Sequence, residues 1–515
     1  MKGPTTAAFH GAGRLSPRKM AFITGTLLLT STGFLCRILG FFYRIFMSRA
    51  IGAEGLGIYN MVHPLFSICF AVCAGSIQTA LSQYIAAHQE NGRVVFRTGL
   101  VIALGLSGIL SWGIYSQADF LAEHILLEPR CAPFLPAIAL SVPFAALHAC
   151  INGYYYGMQK SKVPAFSQVA EQVIRMGAVF LIADIWMAAG RELSVDLAVY
   201  GHLIGEMASA GFTMFCMGFF PPNPGRTEGA NLAFSGAAKA LMALALPLMG
   251  NRLILNVMGS AESIWIPNRL TAFGLTGPEA LSVYGVLTSM ALPFVMFPSA
   301  ITNSMAVLLL PSVAEAQAEG NEGRISSMIS MSLRYSCYMG ILCIGIFTMF
   351  GEQLGTGVFH DGSAGAFIAI LSWLCPFMYL ATTMGSILNG LGRTSTTFLQ
   401  NIFAMAVRLA FVLFAIPRFG IMGYLWGMLV SELSLALMCF LSVKRLVPFR
   451  WDTMQMVVKP ALLLLLSIGI WLAASQWLGF LRALPVFVET SCHIGVISLC
   501  YMGLLLLFHR RRPLP

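Results

Sequence analysis

The sequence contains few charged residues. Only 10% of its 515 residues are aspartate, glutamate, lysine or arginine, whereas about a quarter are charged in ordinary soluble domains. Because 57% of the residues are hydrophobic, a soluble chain of this composition could not cover its core with polar surface. The composition therefore excludes a soluble globular protein and predicts an integral membrane protein.

The sequence also lacks the motifs of common catalytic and metal sites. It has no His-x-x-x-His pair, no glycine-rich phosphate loop with a lysine, and no Gly-x-Ser-x-Gly. Its 12 cysteines include no Cys-x-x-Cys pair and are expected to be small buried side chains. We therefore predict no enzyme activity, no cofactor and no metal, and no loop has the basic, aromatic-rich composition of a nucleic-acid site.

Long apolar segments, in contrast, fill most of the chain. A membrane-spanning helix needs roughly 20 mostly apolar residues, and on this criterion we predict an all-α polytopic membrane protein with about fourteen spans. The predicted spans are 22–48, 58–86, 96–117, 133–157, 165–188, 197–219, 239–265, 281–309, 327–350, 366–389, 397–416, 420–442, 458–479 and 486–508.

The positive charges are distributed unevenly between the two ends of these spans. If both termini are cytoplasmic, most of the 31 lysines and arginines fall at inner ends and in inner loops, as the positive-inside rule requires. We therefore predict a multi-pass protein with both termini in the cytoplasm. The net charge of +10 then reflects topology and contact with anionic lipids of the inner leaflet.

The two halves of the chain share four landmarks in the same order. The landmarks are 82–93 and 312–324, Asn152-Gly153 and Asn389-Gly390, Arg175 and Arg408, and the pairs Gly201/Gly205 and Gly423/Gly427. Each pair of landmarks is separated by six spans, which predicts a duplication with parallel topology. Two six-helix lobes of this kind would enclose a central cavity.

This repeat defines the predicted units of the chain. The last two spans fall outside it, and a polar, proline-rich segment separates the two copies. The units are a cytoplasmic tail (1–20), an N-lobe (21–220), an inter-lobe linker (221–237), a C-lobe (238–446), and a final pair of spans with a basic tail (447–515).

Several ionisable residues within the spans are predicted to pair. A charge at bilayer depth is costly unless it has a partner or a wet cavity. Glu171 and Arg175 are four residues apart on one helix and share a face, and Glu206 in the next span could reach Arg175. We predict that Arg408 and Glu432 repeat this arrangement in the C-lobe, although a proton or ion relay is the functional alternative for both sets.

Three further arginines have no obvious acidic partner. Arg37 and Arg44 are seven residues apart and share a face of the first span, and Arg252 lies at mid-depth in the seventh span. Guanidinium groups bind phosphate oxygens bidentately and stay charged when partly dehydrated. We therefore predict a phosphate- or pyrophosphate-binding site on the walls of the central cavity. The structural alternative is that these side chains extend to the interface or bond to helix-end carbonyls.

Two stretches of the sequence resemble a known family. The first runs from Gly33 to Ile45 and continues from Gly52 to Tyr59, and the second runs from Ile264 to Leu270. With the segment that ends at 310–312, they are similar to the stage V sporulation protein B family of polysaccharide-export proteins. That family belongs to the MOP superfamily, together with lipid II flippases and MATE antiporters. The resemblance extends over about residues 20–508.

The resemblance implies a fold and a function. It implies two six-helix lobes plus two helices, in the bacterial cytoplasmic membrane, with a cavity that opens to each side in turn. The implied cargo is an undecaprenyl-pyrophosphate-linked saccharide such as the peptidoglycan precursor lipid II. The cavity arginines of the flippases correspond to Arg37, Arg44 and Arg252, and spans thirteen and fourteen would form a groove for the lipid tail. A coupling ion, H⁺ or Na⁺, or the membrane potential would drive transport.

Three other functions remain open at this point. A MATE-type antiporter of cations or drugs requires unpaired carboxylates in the cavity, and the first span carries two arginines and no acid. A membrane-bound glycosyltransferase or ligase needs a catalytic residue in a sizeable loop, and every loop is short. A scaffold without transport activity requires neither feature.

Overall fold

The computed structural model describes residues 17–222, 233–475 and 485–509. Within these ranges the chain is mostly helical and contains no β-strand. The helices of the first half are α1 (Pro17–Phe70), α2 (Ser76–Ala87), α3 (Gly92–Ser116), α4 (Ala118–Phe120), α5 (Leu135–Gly157), α6 (Lys162–Ala188) and α7 (Asp196–Phe219). Most of the predicted linker, 223–232, and the predicted tails at 1–16 and 510–515 lie outside the described residues.

The second half of the chain is helical in the same way. Its helices are α8 (Phe234–Phe273), α9 (Gly277–Gly285), α10 (Leu292–Met296), α11 (Ser299–Ala318), α12 (Glu322–Leu354), α13 (Gly362–Leu371), α14 (Cys375–Gly390), α15 (Thr394–Phe414), α16 (Ile416–Phe419), α17 (Ile421–Leu446), α18 (Lys459–Ser475) and α19 (Val486–His509). The all-α membrane fold predicted from the sequence is confirmed.

The number of spans agrees with the prediction of about fourteen. Twelve of the described segments are long and apolar enough to cross a membrane. One of them, 28–87, contains two predicted spans, because the backbone leaves the helical conformation at Gly52 (φ 69°, ψ −179°). Two others, 277–296 and 299–318, together form the predicted eighth span. The predicted fifth and sixth spans correspond to α6 and α7, which carry ionisable residues such as Glu171, Arg175 and Glu206 and are not among the twelve.

The packing of helices repeats between the two halves. In the first half, α5 packs against α2, α3 and α7, while α6 packs against α7 and α1. In the second half, α14 packs against α11, α12 and α17, while α15 packs against α17 and α8. These are the same five pairs at an offset of six spans, as a duplicated six-helix unit requires. The lobe boundaries 21–220 and 238–446 stay predictions.

The last two helices pack as a pair against the outside of the second half. α18 and α19 contact each other, and both contact α12. Tyr501 on α19 is buried, and its Oη donates to the backbone oxygen of Tyr338 on α12 at 3.3 Å. The pair therefore extends the second half laterally.

The two halves meet closely at the end where the predicted second and eighth spans begin. A Cβ atom at Gly57 would overlap the carbonyl oxygen of Leu281, and one at Gly285 would overlap that of Ala53. Beside them, Asn60 Nδ2 donates to Thr288 Oγ1 at 2.8 Å. Small residues allow backbones to approach this closely. This end of the molecule, predicted to be extracellular, is closed.

Candidate functional site

A cavity of about 750 Å³ opens within the bundle, away from the closed end. Its walls come from α1, α11, α14, α15 and α17. The polar residues that line it are Arg37, Asn303, Thr382, Ser386, Asn389, Thr394, Thr397, Asn401 and Glu432. Asn389 and Thr394 stand where α14 ends and α15 begins, so the cavity reaches the side predicted to be cytoplasmic.

Side-chain amides and hydroxyls organise one wall of the cavity. Thr397 Oγ1 donates to Asn389 Oδ1 at 2.7 Å, which links α15 to α14. Asn401, one turn later on α15, donates from Nδ2 to the carbonyl oxygen of Thr397 at 2.7 Å. These bonds orient amide groups at the mouth of the cavity, where a polar ligand would meet them.

Arg37 lies on the wall of this cavity. It also lines an adjoining cavity of about 300 Å³ between α1 and α11, with Phe34, Ala300 and Asn303. Its side chain is exposed, and among the described residues no carboxylate forms an ion pair with it. A positive charge without a counter-ion therefore faces a space large enough for a ligand.

Arg44 lies in a different environment. It is exposed and lies within electrostatic range of two phenols, those of Tyr43 and Tyr59. Tyr59 in turn lies within electrostatic range of Arg175 and Glu206. Arg44 therefore belongs to a polar cluster within the first lobe, and it is separate from the lining of the 750 Å³ cavity.

Arg252 lies where α8 crosses α2. Its Nη2 donates to Thr79 Oγ1 at 2.9 Å, and a Cβ atom at Gly75 would overlap its guanidinium group. One turn along α8, Asn256 Nδ2 donates to the carbonyl oxygen of Ser67 at 3.1 Å. Arg252 is thus exposed at a contact between the lobes, and the structure does not gather the three predicted arginines into one cluster.

The first lobe contains two intramembrane pairs. Arg175 Nη2 forms an ion pair with Glu171 on the same helix, α6, as the four-residue spacing predicts. Glu206 on α7 does not bond to Arg175 directly. Its Oε2 instead lies 2.9 Å from Nε2 of His148 on α5, because α7 packs against both α5 and α6.

The predicted pair of Arg408 and Glu432 is wrong. Arg408 Nε lies 2.5 Å from Oε1 of Glu262 on α8, and Tyr424 on α17 donates from Oη to the same oxygen at 2.6 Å. Glu432 stands farther from the arginine and lines the cavity instead. The reason is that α15 packs against α8 as well as α17, so that Arg408 reaches the acid on the nearer helix.

Several residues of these sites escaped the sequence reasoning. Glu262 is the counter-ion of Arg408, although its position near the end of a predicted span had given it no role. The cavity amides Asn303 and Asn401 had no pattern that marked them. His148 and His202 could have been found, since each is an ionisable residue within a predicted span, where a functional role is the default hypothesis.

The sequence of the chain is similar to a group of membrane proteins. The profile of the family described as "Polysaccharide biosynthesis protein" matches residues 22–317, more than half of the chain. Stage V sporulation protein B of Bacillus subtilis (strain 168) is 26% identical over 95% of this chain and 96% of its own length. The lipid II flippase MurJ of the same organism is 22% identical over 89% of each chain.

Solved structures share the fold. A lipid II flippase MurJ in an inward closed conformation superposes with a TM-score of 0.71 at 13% identity, covering 94% of this chain and 99% of that one. An inward-facing MATE multidrug transporter of the MOP superfamily superposes with a TM-score of 0.56 at 13% identity, covering 84% and 95%.

Proposed function

Because the chain belongs to the polysaccharide biosynthesis protein family, we propose that it flips an undecaprenyl-pyrophosphate-linked saccharide across the cytoplasmic membrane. Lipid II is the cargo that we propose first, since a lipid II flippase is among its relatives and among its structural neighbours. The protein would act as a transporter, without catalysis.

One observation supports this proposal above the others. Arg37 faces a cavity of about 750 Å³ without an ion-pair partner among the described residues. A pyrophosphate offers the oxygens that a guanidinium group binds bidentately. The amides of Asn389 and Asn401 supply further donors for phosphate or sugar hydroxyls near the cytoplasmic side, where such a headgroup is made.

An apolar space beside Arg37 suits the lipid tail. A cavity of about 280 Å³ is lined by Phe41 on α1, Phe297 after α10, Phe347 on α12 and Ile494 on α19. Phe41 is one helical turn from Arg37, so the two side chains lie on neighbouring parts of one face. A headgroup bound at Arg37 would therefore place its hydrocarbon chain beside α19, in the groove predicted for the last two spans.

Transport would proceed by alternating access. The lobes are closed at Gly57 and Gly285, while the cavity reaches the opposite side. The cargo would enter this cavity, the contact at the two glycines would separate, and the lobes would rock about the linker. The cargo can shift the populations of the two states only if it binds one of them more tightly. We propose that Arg37 provides this difference in affinity.

The test is lipid II translocation in cells depleted of their own flippase. We expect the wild type to restore translocation, Arg37→Ala to abolish it, and Arg37→Lys to restore it in part, because lysine keeps the charge without the bidentate geometry. Arg44→Ala and Arg252→Ala test the other two predicted arginines. Arg418→Ala is the matched control, since Arg418 is an exposed arginine outside the cavity.

Each outcome decides a different part of the proposal. Full activity of Arg37→Ala at equal membrane expression would refute the cavity site and leave the flippase function standing. Failure of the wild type would exclude lipid II, and the assay would then be repeated with other polyprenyl-pyrophosphate saccharides.

One observation favours a second candidate, a MATE-type antiporter that couples a cation or drug to an ion. Glu432 lines the same cavity as Arg37, and a carboxylate there could exchange a cationic cargo for a proton. This function predicts resistance to cationic drugs that Glu432→Gln abolishes and Arg37→Ala leaves intact. The flippase function instead predicts that Arg37→Ala abolishes transport and Glu432→Gln leaves it intact.

A further inference from the structure

The two lobes differ in their content of histidine. The membrane helices of the first lobe carry His63 on α1, His148 on α5 and His202 on α7. Between residues 238 and 446 the sequence has one histidine, His360, and it lies in the turn before α13. Histidine is the side chain whose charge changes most readily near neutral pH, so only the first lobe concentrates titratable groups of this kind.

His148 and Glu206 form a buried contact between α5 and α7. Nε2 of the histidine lies 2.9 Å from Oε2 of the glutamate, and their side chains are only 13% and 8% exposed. The other ring nitrogen, His148 Nδ1, is buried and has no hydrogen-bond partner among the residues that the structure describes. When Nε2 donates its hydrogen to the carboxylate, Nδ1 holds a lone pair that is available for a proton.

His202 extends this contact toward the space between the lobes. It precedes Glu206 by one helical turn, is 5% exposed, and its Nε2 also lacks a partner within the described ranges. Its ring centroid lies 6.0 Å from that of His63. His63 is exposed, and one water molecule could bridge the two rings. The three histidines thus connect an accessible position with a buried one.

Charged groups of both signs surround this set. Arg175 is neutralised by Glu171, and both act electrostatically on the buried contact. The groups that face the set from α1, α6 and α7 are Arg44, Tyr59, Glu171, Arg175 and His202. No three histidine, cysteine or acidic side chains in the described part of the chain are placed to hold a metal ion. The unpartnered Nδ1 of His148 can take up a proton, and a proton is the ligand that this geometry suits.

We propose that His148 and Glu206 form a proton-binding site that couples cargo movement to protons, with His202 and His63 connecting it to the inter-lobe space. The proton binds to Nδ1 of His148, and the resulting imidazolium is stabilised by the Glu206 carboxylate. This inference rests on the proposed transport function. It assigns the coupling ion and the residues that bind it.

His63 provides a connection from this site to the other lobe. Its Nδ1 lies 3.1 Å from Ser67 Oγ, and the carbonyl oxygen of Ser67 accepts a hydrogen bond from Asn256 of α8. An Nδ1 without a hydrogen accepts a hydrogen bond from the Ser67 hydroxyl, whereas a protonated Nδ1 donates to that oxygen. Protonation therefore reverses a hydrogen bond at a residue that also holds the lobes together.

The first experiment counts protons. Purified full-length protein is titrated potentiometrically between about pH 5 and pH 8, the range in which histidine changes charge. We expect His148→Gln to bind about one proton fewer than the wild type across this range. His493→Gln is the matched control, because His493 also contacts a glutamate, Glu489, at 3.7 Å on α19. Both variants lose one titratable ring, so in the translocation assay His493→Gln shows whether the loss of proton coupling is specific to His148.

The second experiment tests coupling in proteoliposomes that contain lipid II. The initial rate of translocation is measured with and without a one-unit pH gradient, which changes the occupancy of an unsaturated proton site up to about tenfold. We expect the gradient to change the rates of the wild type and of His493→Gln several-fold. The rates of His148→Gln and Glu206→Gln should not respond to the gradient. Size-exclusion profiles identify any variant that misfolds.

The outcomes separate this inference from the proposed function. If the gradient does not change the translocation rate of the wild type, or changes the rate of His148→Gln equally, the proton site is refuted. The proposed flippase function is not affected by either result. If the wild type moves no lipid II, only the potentiometric titration tests the proton site. In that case a His148→Gln titration curve identical to that of the wild type overturns the site.

Discussion

The two lobes neutralise arginines at corresponding positions in different ways. In the first lobe, Arg175 is paired with Glu171 of its own helix. In the second lobe, Arg408 is paired with Glu262 of another helix, α8, and Tyr424 of α17 donates to the same carboxylate. The first arrangement stabilises one helix, whereas the second fastens three helices together.

This difference changes the role of the first helix of each lobe. In the second lobe that helix is α8, and its Glu262 ties it to the rest of the lobe. In the first lobe it is the part of α1 before Gly52, which carries Arg37 and Arg44 and no acid. The comparison indicates that duplicated helices have diverged, so that one is fixed within its lobe and the other presents positive charge to the cavity.

The largest expected effect comes from removing the acid that fastens the second lobe. Glu262→Gln leaves the half-buried Arg408 without its counter-ion and removes a carboxylate that is only 9% exposed. Breaking a buried ion pair in this way costs about 3–5 kcal/mol. We expect a large fall in the melting temperature of the purified protein in detergent.

Glu432→Gln is the control for that change, because Glu432 lines the cavity and the structure shows no ion pair for it among the described residues. It should leave the melting temperature nearly unchanged. A double change of Glu262→Gln with Arg408→Met should recover much of the loss, since the unpaired charge is gone. Equal losses from Glu262→Gln and Glu432→Gln would contradict the assignment of the pair.

A smaller effect is expected from the corresponding change in the first lobe. Glu171→Gln removes the partner of Arg175, but the Glu171 side chain is 21% exposed, whereas that of Glu262 is 9% exposed, so the first pair is less desolvated. We expect a loss of about 1.5 kcal/mol, the lower end for a hydrogen bond to a charged group. The measurement is the same thermal unfolding, and a loss as large as that of Glu262→Gln would abolish the contrast between the lobes.

Composition and periodicity were enough to predict the fold class. Hydrophobic runs of about 20 residues predict membrane-spanning helices. Paired landmarks such as Asn152-Gly153 and Asn389-Gly390 indicate the duplication. The kink at Gly52 and the division of the eighth span between α9, α10 and α11 could not be read from hydropathy, because both are set by how neighbouring helices meet.

The pairs inside the membrane were predictable only where they were local. The spacing of Glu171 and Arg175 places both on one helical face, and the structure contains that pair. The partners of Arg408 and Glu206 depend on which helices are neighbours, and sequence spacing carries no such information. Arg408 therefore pairs with Glu262, which is about 150 residues away in the sequence. Glu206 pairs with His148 instead of Arg175, although Arg175 is nearer in the sequence.

The smallest effect that we predict tests the third member of the second cluster. Tyr424→Phe removes the hydroxyl that donates to Glu262 at 2.6 Å and leaves the ion pair with Arg408 in place. We expect a loss of about 1 kcal/mol, as for one hydrogen bond. The control is Tyr200→Phe, since Tyr200 is 42% exposed on α7 and should tolerate the change. If Tyr424→Phe were as stable as this control, the carboxylate would be held by Arg408 alone, and the second lobe would be fastened by two helices instead of three.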